Sequence, residues 1–76
     1  MRLVFLGRLE DVAGCAEISV TAGSWAEVLA GLEPALAEAL AAPRIRMALN
    51  GVLVAALPER LADGDELAFL PPVSGG

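Results

Sequence analysis

The chain has no lysine, no histidine and no tyrosine, and it has one cysteine. Each shortage removes a class of chemistry. Without histidine, the usual general base at neutral pH is missing. Without lysine, no side-chain amine is present to accept an activated carboxylate from the protein's own end. One cysteine allows no internal disulfide, which fits a reducing compartment. Cys15 stands between Gly14 and Ala16, with no adjacent base or cation to activate a thiolate. It reads as a small structural residue near a strand start, not as a redox or acyl-carrying thiol. Positive charge is also scarce: five arginines face ten carboxylates, for a net charge of −5. That balance speaks against nucleic-acid binding, which needs clustered cations to neutralise phosphates. No apolar run approaches the roughly 18 residues of a membrane span. The apolar stretch within Met1–Arg8 is too short for a signal peptide, so a cytoplasmic location is expected.

What is present is a small core and a distinctive end. Seventy-six residues make one domain, and 57% of them are hydrophobic. Fifteen of those are alanine, so the core is smaller than the percentage suggests. The chain closes with Leu70-Pro71-Pro72-Val73-Ser74-Gly75-Gly76. Pro71 and Pro72 hold the segment extended, because each ring fixes φ and removes an N–H donor. Gly75 and Gly76 have no side chains, so such a tip can thread a narrow channel. With glycine usage near 7%, two in succession arise by chance in about one case in two hundred. The expected division is a domain over residues 1–70 and an extended tail over 71–76.

Between the ends, the pattern alternates between strand and helix. Residues 2–7 read as a first strand, and Arg8 to Gly14 as a loop or single helical turn. Ala16 to Val20 alternates as a second strand, pairing with the first. Ser24-Trp25-Ala26-Glu27 has the capping-box pattern, and Trp25, Val28, Leu29 and Leu32 then recur at helical spacing. That helix is expected to end near Leu32. Pro34 suits the first position of a second helix, with Leu36, Ala39 and Leu40 on its buried side and Pro43 as its stop. Ile45, Met47 and Leu49 alternate as a strand, Asn50-Gly51 is a two-residue hairpin turn, and Val52-Leu53-Val54 returns. Leu57 to Leu61 reads as a loop. Asp63-Gly64-Asp65 is a tight turn before a last strand, Glu66 to Leu70. The Asp63, Asp65 and Glu66 cluster lacks the downstream glutamate of a calcium loop, so it reads as a solvated turn and not a metal site.

The first and last strands alone carry unbroken apolar runs, which places them in the middle of a sheet. Terminal strands side by side, with helices across one face, describe an α+β, β-grasp fold. The expectation is a mixed sheet of four to five strands with one to two helices on one face. Leu3, Phe5, Leu67 and Phe69 point to the core, while Val4, Leu6, Ala68 and Leu70 point the other way. One helical layer shields only one face, so an apolar patch is expected on the other. Leu6, Leu53 and Leu70 are the candidate docking residues, next to the root of the tail. The competing arrangement is that the loop over residues 55–62 covers this face.

Residues 61–76, Leu-Ala-Asp-Gly-Asp-Glu-Leu-Ala-Phe-Leu-Pro-Pro-Val-Ser-Gly-Gly, resemble the C-terminal signature of the molybdopterin synthase small subunit. Residues 48–54, and Leu3 to Leu6 with Val12-Ala13-Gly14, also resemble this MoaD/ThiS-type ubiquitin-like family. The resemblance implies a sulfur carrier. Its terminal carboxylate, here on Gly76, is adenylated by an E1-like adenylyltransferase using ATP and Mg²⁺. A sulfurtransferase supplies sulfur that displaces AMP and leaves a thiocarboxylate. The tail then enters the large catalytic subunit of molybdopterin synthase, within a heterotetramer, and sulfur passes to cyclic pyranopterin monophosphate. By this resemblance Gly75 and Gly76 are the functional tip and Pro71, Pro72, Val73 and Ser74 the inserted stalk. Leu6, Leu53 and Leu70 form the docking face. Positions 6 and 70 are aliphatic where this family commonly has aromatics. The chain itself is then no enzyme, and it binds no cofactor of its own. Two alternatives share the same tail: a sulfur carrier for thiazole or cysteine synthesis, and a ubiquitin-like protein modifier.

Overall fold

The computed structural model describes residues 1–72. Five strands and three short helices alternate along the chain: β1 (Arg2–Phe5), α1 (Leu9–Ala13), β2 (Glu17–Ser19), α2 (Trp25–Ala30), α3 (Pro34–Leu40), β3 (Arg46–Leu49), β4 (Val52–Val54) and β5 (Glu66–Leu70). The strands form one mixed sheet in the order β2-β1-β5-β3-β4. β1 runs parallel to β5, and the other neighbouring pairs are antiparallel. The terminal strands therefore lie together in the interior of the sheet, as their two-sided apolarity requires. This is the β-grasp arrangement expected from the sequence. The helices number three, one more than expected.

The third is α1, the helical-turn alternative of the two readings for Arg8 to Gly14. A five-residue helix has little intrinsic stability, and its sequence pattern is weak. Leu9, which is buried, anchors it to the core. Gly14 closes it in the left-handed conformation at φ 80°, with its N–H donated to the Glu10 carbonyl. β1 stops at Phe5, two residues short of the expected end, because Gly7 turns the chain at φ 56°.

Helix α2 begins as its capping box predicts. The Ser24 hydroxyl accepts from the Glu27 N–H at 3.2 Å, and the Glu27 carboxylate accepts from the Ser24 N–H at 3.0 Å. These bonds from Ser24, backbone first, with the Arg60 guanidinium at 3.6 Å, hold the Glu27 carboxyl below its ordinary pKa. Pro34 stands in the first turn of α3, where its missing N–H costs nothing.

All three helices pack on one face. Leu9, Val28, Leu36 and Leu40 join Leu3, Phe5, Leu67 and Phe69 in a single core, with Met1 and Leu61. Phe5 and Phe69 stack at a centroid distance of 6.0 Å, and Trp25 stacks on Phe69 at 5.4 Å. Trp25 is thus a packing residue. The loop after β4 closes on this same face: Leu61 is buried in the core and its N–H donates to the Gly23 carbonyl at 2.8 Å.

Asn50 and Gly51 make the β3–β4 turn with positive φ of 51° and 85°, the pairing that a tight hairpin demands. Asn50 also ties this hairpin to β5. Its side-chain oxygen accepts from the Glu66 N–H at 2.9 Å, and its amide donates to Asp65 at 3.0 Å. Asp65 in turn accepts from the Ala62 N–H at 2.8 Å. The Ala62 N–H first, and the Asn50 amide second, hold the Asp65 carboxyl below its ordinary pKa. The acidic cluster is thus a hydrogen-bonded turn. Among the described residues no group of acidic, histidine or cysteine side chains is arranged to hold a metal. No described helix is long and apolar enough to cross a membrane.

Candidate functional site

The face of the sheet opposite the helices is built by strand register. Val4 lies beside Ala68, Ala68 beside Ala48, and Ala48 beside Leu53. Directly paired residues share a face, so these four side chains form a row across four strands. Two residues further along the central strands, Leu70 lies beside Arg46. The β1–β5 register, carried one residue on, sets Leu6 beside Leu70, and the Leu6 N–H donates to the Phe69 carbonyl at 3.1 Å. The three candidate docking residues therefore share one face. Leu6 is 42% exposed and Leu53 59% exposed, while Leu70 is half-buried.

No helix packs here: Leu9 of α1, Val28 of α2 and Leu36 and Leu40 of α3 all enter the core on the other side. Nor does the loop over residues 55–62 cover it: Leu57 and Leu61 belong with the core. Ala48, in the middle of this face, is not among the residues singled out from sequence. Its signal lies in the Asn50-Gly51 turn, whose two-residue geometry fixes the Ala48–Leu53 pairing.

The far end of this face is polar. Arg2 reaches Glu66 at 2.6 Å and Glu17 at 3.1 Å, spanning three adjacent strands. These exposed pairs contribute at most about 1 kcal/mol each. They do mark where the apolar surface stops.

The near end is the exit of β5. Pro71 and Pro72 leave the sheet there and line a groove with Leu70, Pro43, Arg44 and Arg46. Gly7 sits against the tail: a β-carbon added to it would lie 3.0 Å from the Pro71 ring. Its positive φ and this close approach both call for glycine. Sequence reasoning did not single out Gly7, because the contact joins residues that only the parallel β1–β5 pairing brings together. Val73, Ser74, Gly75 and Gly76 lie outside the described residues. Cys15 is half-buried at the end of α1, its thiol 3.9 Å from the Ala13 carbonyl.

What the described residues provide is a shaped surface. An apolar sheet face leads to Pro71 and Pro72 at the exit of β5, with Arg44 and Arg46 beside them. Comparison with known proteins is consistent with a carrier of this design. The model of the ThiS family matches residues 3–76. The crystal structure of SAMP1 from Haloferax volcanii superposes with a TM-score of 0.75 at 34% sequence identity, covering all of this chain and 98% of that one. No curated protein matches the sequence.

Proposed function

The chain belongs to the ThiS family of small ubiquitin-like sulfur carriers, and from that premise we propose that it is the sulfur carrier subunit of molybdopterin synthase. The observation that carries this reading is the uncovered face holding Leu6, Leu53 and Leu70, which runs up to the root of the tail. A carrier needs two things: a chemically addressable end and a surface by which enzymes hold the domain while they act on that end. The Gly76 carboxylate supplies the first. Carboxylate oxygen is a poor leaving group, so an E1-like adenylyltransferase first joins it to AMP from Mg²⁺-bound ATP, releasing pyrophosphate. Sulfide-level sulfur derived from a sulfurtransferase then attacks the acyl carbon, breaking the bond to AMP, which leaves, and the resulting thiocarboxylate is a competent sulfur donor. Gly75 beside it keeps the tip narrow, and Pro71 to Ser74 form the stalk that enters the large catalytic subunit. The protein supplies no catalytic group of its own. ATP and Mg²⁺ belong to the activating enzyme.

The test is intact-mass measurement of protein taken from its native host, followed by reconstitution with the large subunit. The expected result is a species heavier by one oxygen-to-sulfur exchange, which converts cyclic pyranopterin monophosphate to molybdopterin. Deleting Gly76 abolishes both and leaves the thermal melt unchanged. A loaded carrier that fails with the large subunit refutes the pathway assignment.

The family match also favours a second reading, a carrier for thiazole or cysteine synthesis. Presenting the loaded protein to each sulfur-accepting synthase separates these pathways. A ladder of higher-mass conjugates in cells, lost with Gly76, marks a protein modifier instead.

A further inference from the structure

The arginines are distributed unevenly. Arg2 is paired with Glu17 and Glu66, and Arg60 lies 3.6 Å from Glu27. Arg8, Arg44 and Arg46 have no carboxylate partner among the described residues, and all three are exposed. They also converge. Arg46 opens β3 beside Leu70, and Arg44 lines the same groove with Pro71 and Pro72. Arg8 follows Gly7, where an added β-carbon would lie 3.0 Å from the Pro71 ring, and it follows β1, on the opposite side of β5 from β3. Three of the chain's five arginines thus flank the root of the tail in a protein of net charge −5.

A protein with twice as many carboxylates as cations has ample means to pair these arginines, and it pairs the other two. Leaving three like charges together costs repulsion and gains no internal contact. The groove that Arg44 and Arg46 line is completed by Pro43, Leu70, Pro71 and Pro72, which compete for no charge. We propose that Arg8, Arg44 and Arg46 form a cationic collar that binds aspartate or glutamate side chains of the enzyme that activates the tail. This rests on the carrier reading above. The activating enzyme is chosen because every pathway open to this family begins with adenylation of the tail. The collar lies where the rim of an entrance accepting the tail must lie. Guanidinium–carboxylate pairs there fix the tail's approach by bidentate hydrogen bonds. They also accelerate encounter from solution.

The experiment is stopped-flow or surface-plasmon measurement of the full-length chain binding the E1-like adenylyltransferase of the same host, at low and high sodium chloride. The variants are Arg8→Glu/Arg44→Glu/Arg46→Glu, the neutral Arg44→Gln/Arg46→Gln, and Arg60→Glu as a control away from the tail. The wild type is expected to lose association rate steeply as salt rises. The triple variant is expected to associate about tenfold or more slowly, with a flattened salt dependence, and the neutral pair to fall between. Arg60→Glu binds as wild type. Thermal melts establish that each variant is folded, which exposed positions permit.

Unchanged rate and unchanged salt dependence in the triple variant overturn the collar. So does a triple variant that binds the enzyme normally but loses affinity for an RNA oligonucleotide. Sulfur loading is read separately by intact mass. A wild type that binds through the arginines but never carries sulfur refutes the carrier reading and leaves the collar standing. A wild type that loads, beside a triple variant that binds and loads equally fast, does the reverse.

Discussion

At the scale of single residues, small chemical differences decide how the tail is presented. Gly7→Ala places a methyl group 3.0 Å from the Pro71 ring, in a backbone conformation that side chains avoid. The expected loss is about 1–2 kcal/mol of stability, and the tail leaves the sheet at a different angle. A lowered denaturant midpoint together with slower adenylation checks this. Leu70→Asp introduces a charge on the proposed docking face. It is expected to weaken large-subunit binding by tenfold or more, since the complex must desolvate an unpaired carboxylate. Calorimetric titration measures it, and an unchanged affinity removes Leu70 from the interface. Asp65 has a different role. Its depressed pKa makes its stabilisation fully present above the ordinary carboxylate value, about 4, and lost as pH falls through the folded value. Asp65→Ala is therefore expected to lower the melting temperature at pH 7, and to make the fall in melting temperature below about pH 5 shallower.

At the scale of elements, much was legible because the signals are local. The apolar runs of β1 and β5 placed both in the sheet interior, and the Asn50-Gly51 pair and the Ser24 capping box behave as their chemistry requires. The parity of Leu3, Phe5, Leu67 and Phe69 correctly separated core from outer face. What was not legible depends on distant partners. Arg8–Gly14 reads either as a loop or as a single helical turn; the turn stands because Leu9 finds the core, a contact no local pattern carries. The Asn50–Asp65 link and the Gly7–Pro71 approach likewise join residues far apart in sequence. The arginines hid behind a negative total, since their meeting at one end is a product of topology. Element-scale energetics give a further expectation: Ser24→Ala removes half of the α2 capping box and costs about 1 kcal/mol, measurable by chemical denaturation.

At the scale of the whole molecule, one layer of helices on one sheet leaves little reserve. A domain this small has a stability of only a few kcal/mol. Phe69 is fully buried and stacks on both Phe5 and Trp25. Phe69→Ala is expected to cost about 3–5 kcal/mol, enough to unfold most of the population at 37 °C by circular dichroism. The same economy exposes the outer face: with a core this thin, no material remains to cover both sides. That makes the molecule a handle with a working end.

The parallel pairing of β1 and β5 has a mechanical consequence. A pull on Pro71 along the axis of β5 meets a neighbour on each side, β1 paired over Glu66–Phe69 and β3 over Leu67–Leu70. The load falls on those bonds together, in shear, and they cannot break in succession like the teeth of a zipper. A load applied at Pro71 along that axis is therefore shared by both ladders at once, where an edge strand would have only one to resist it.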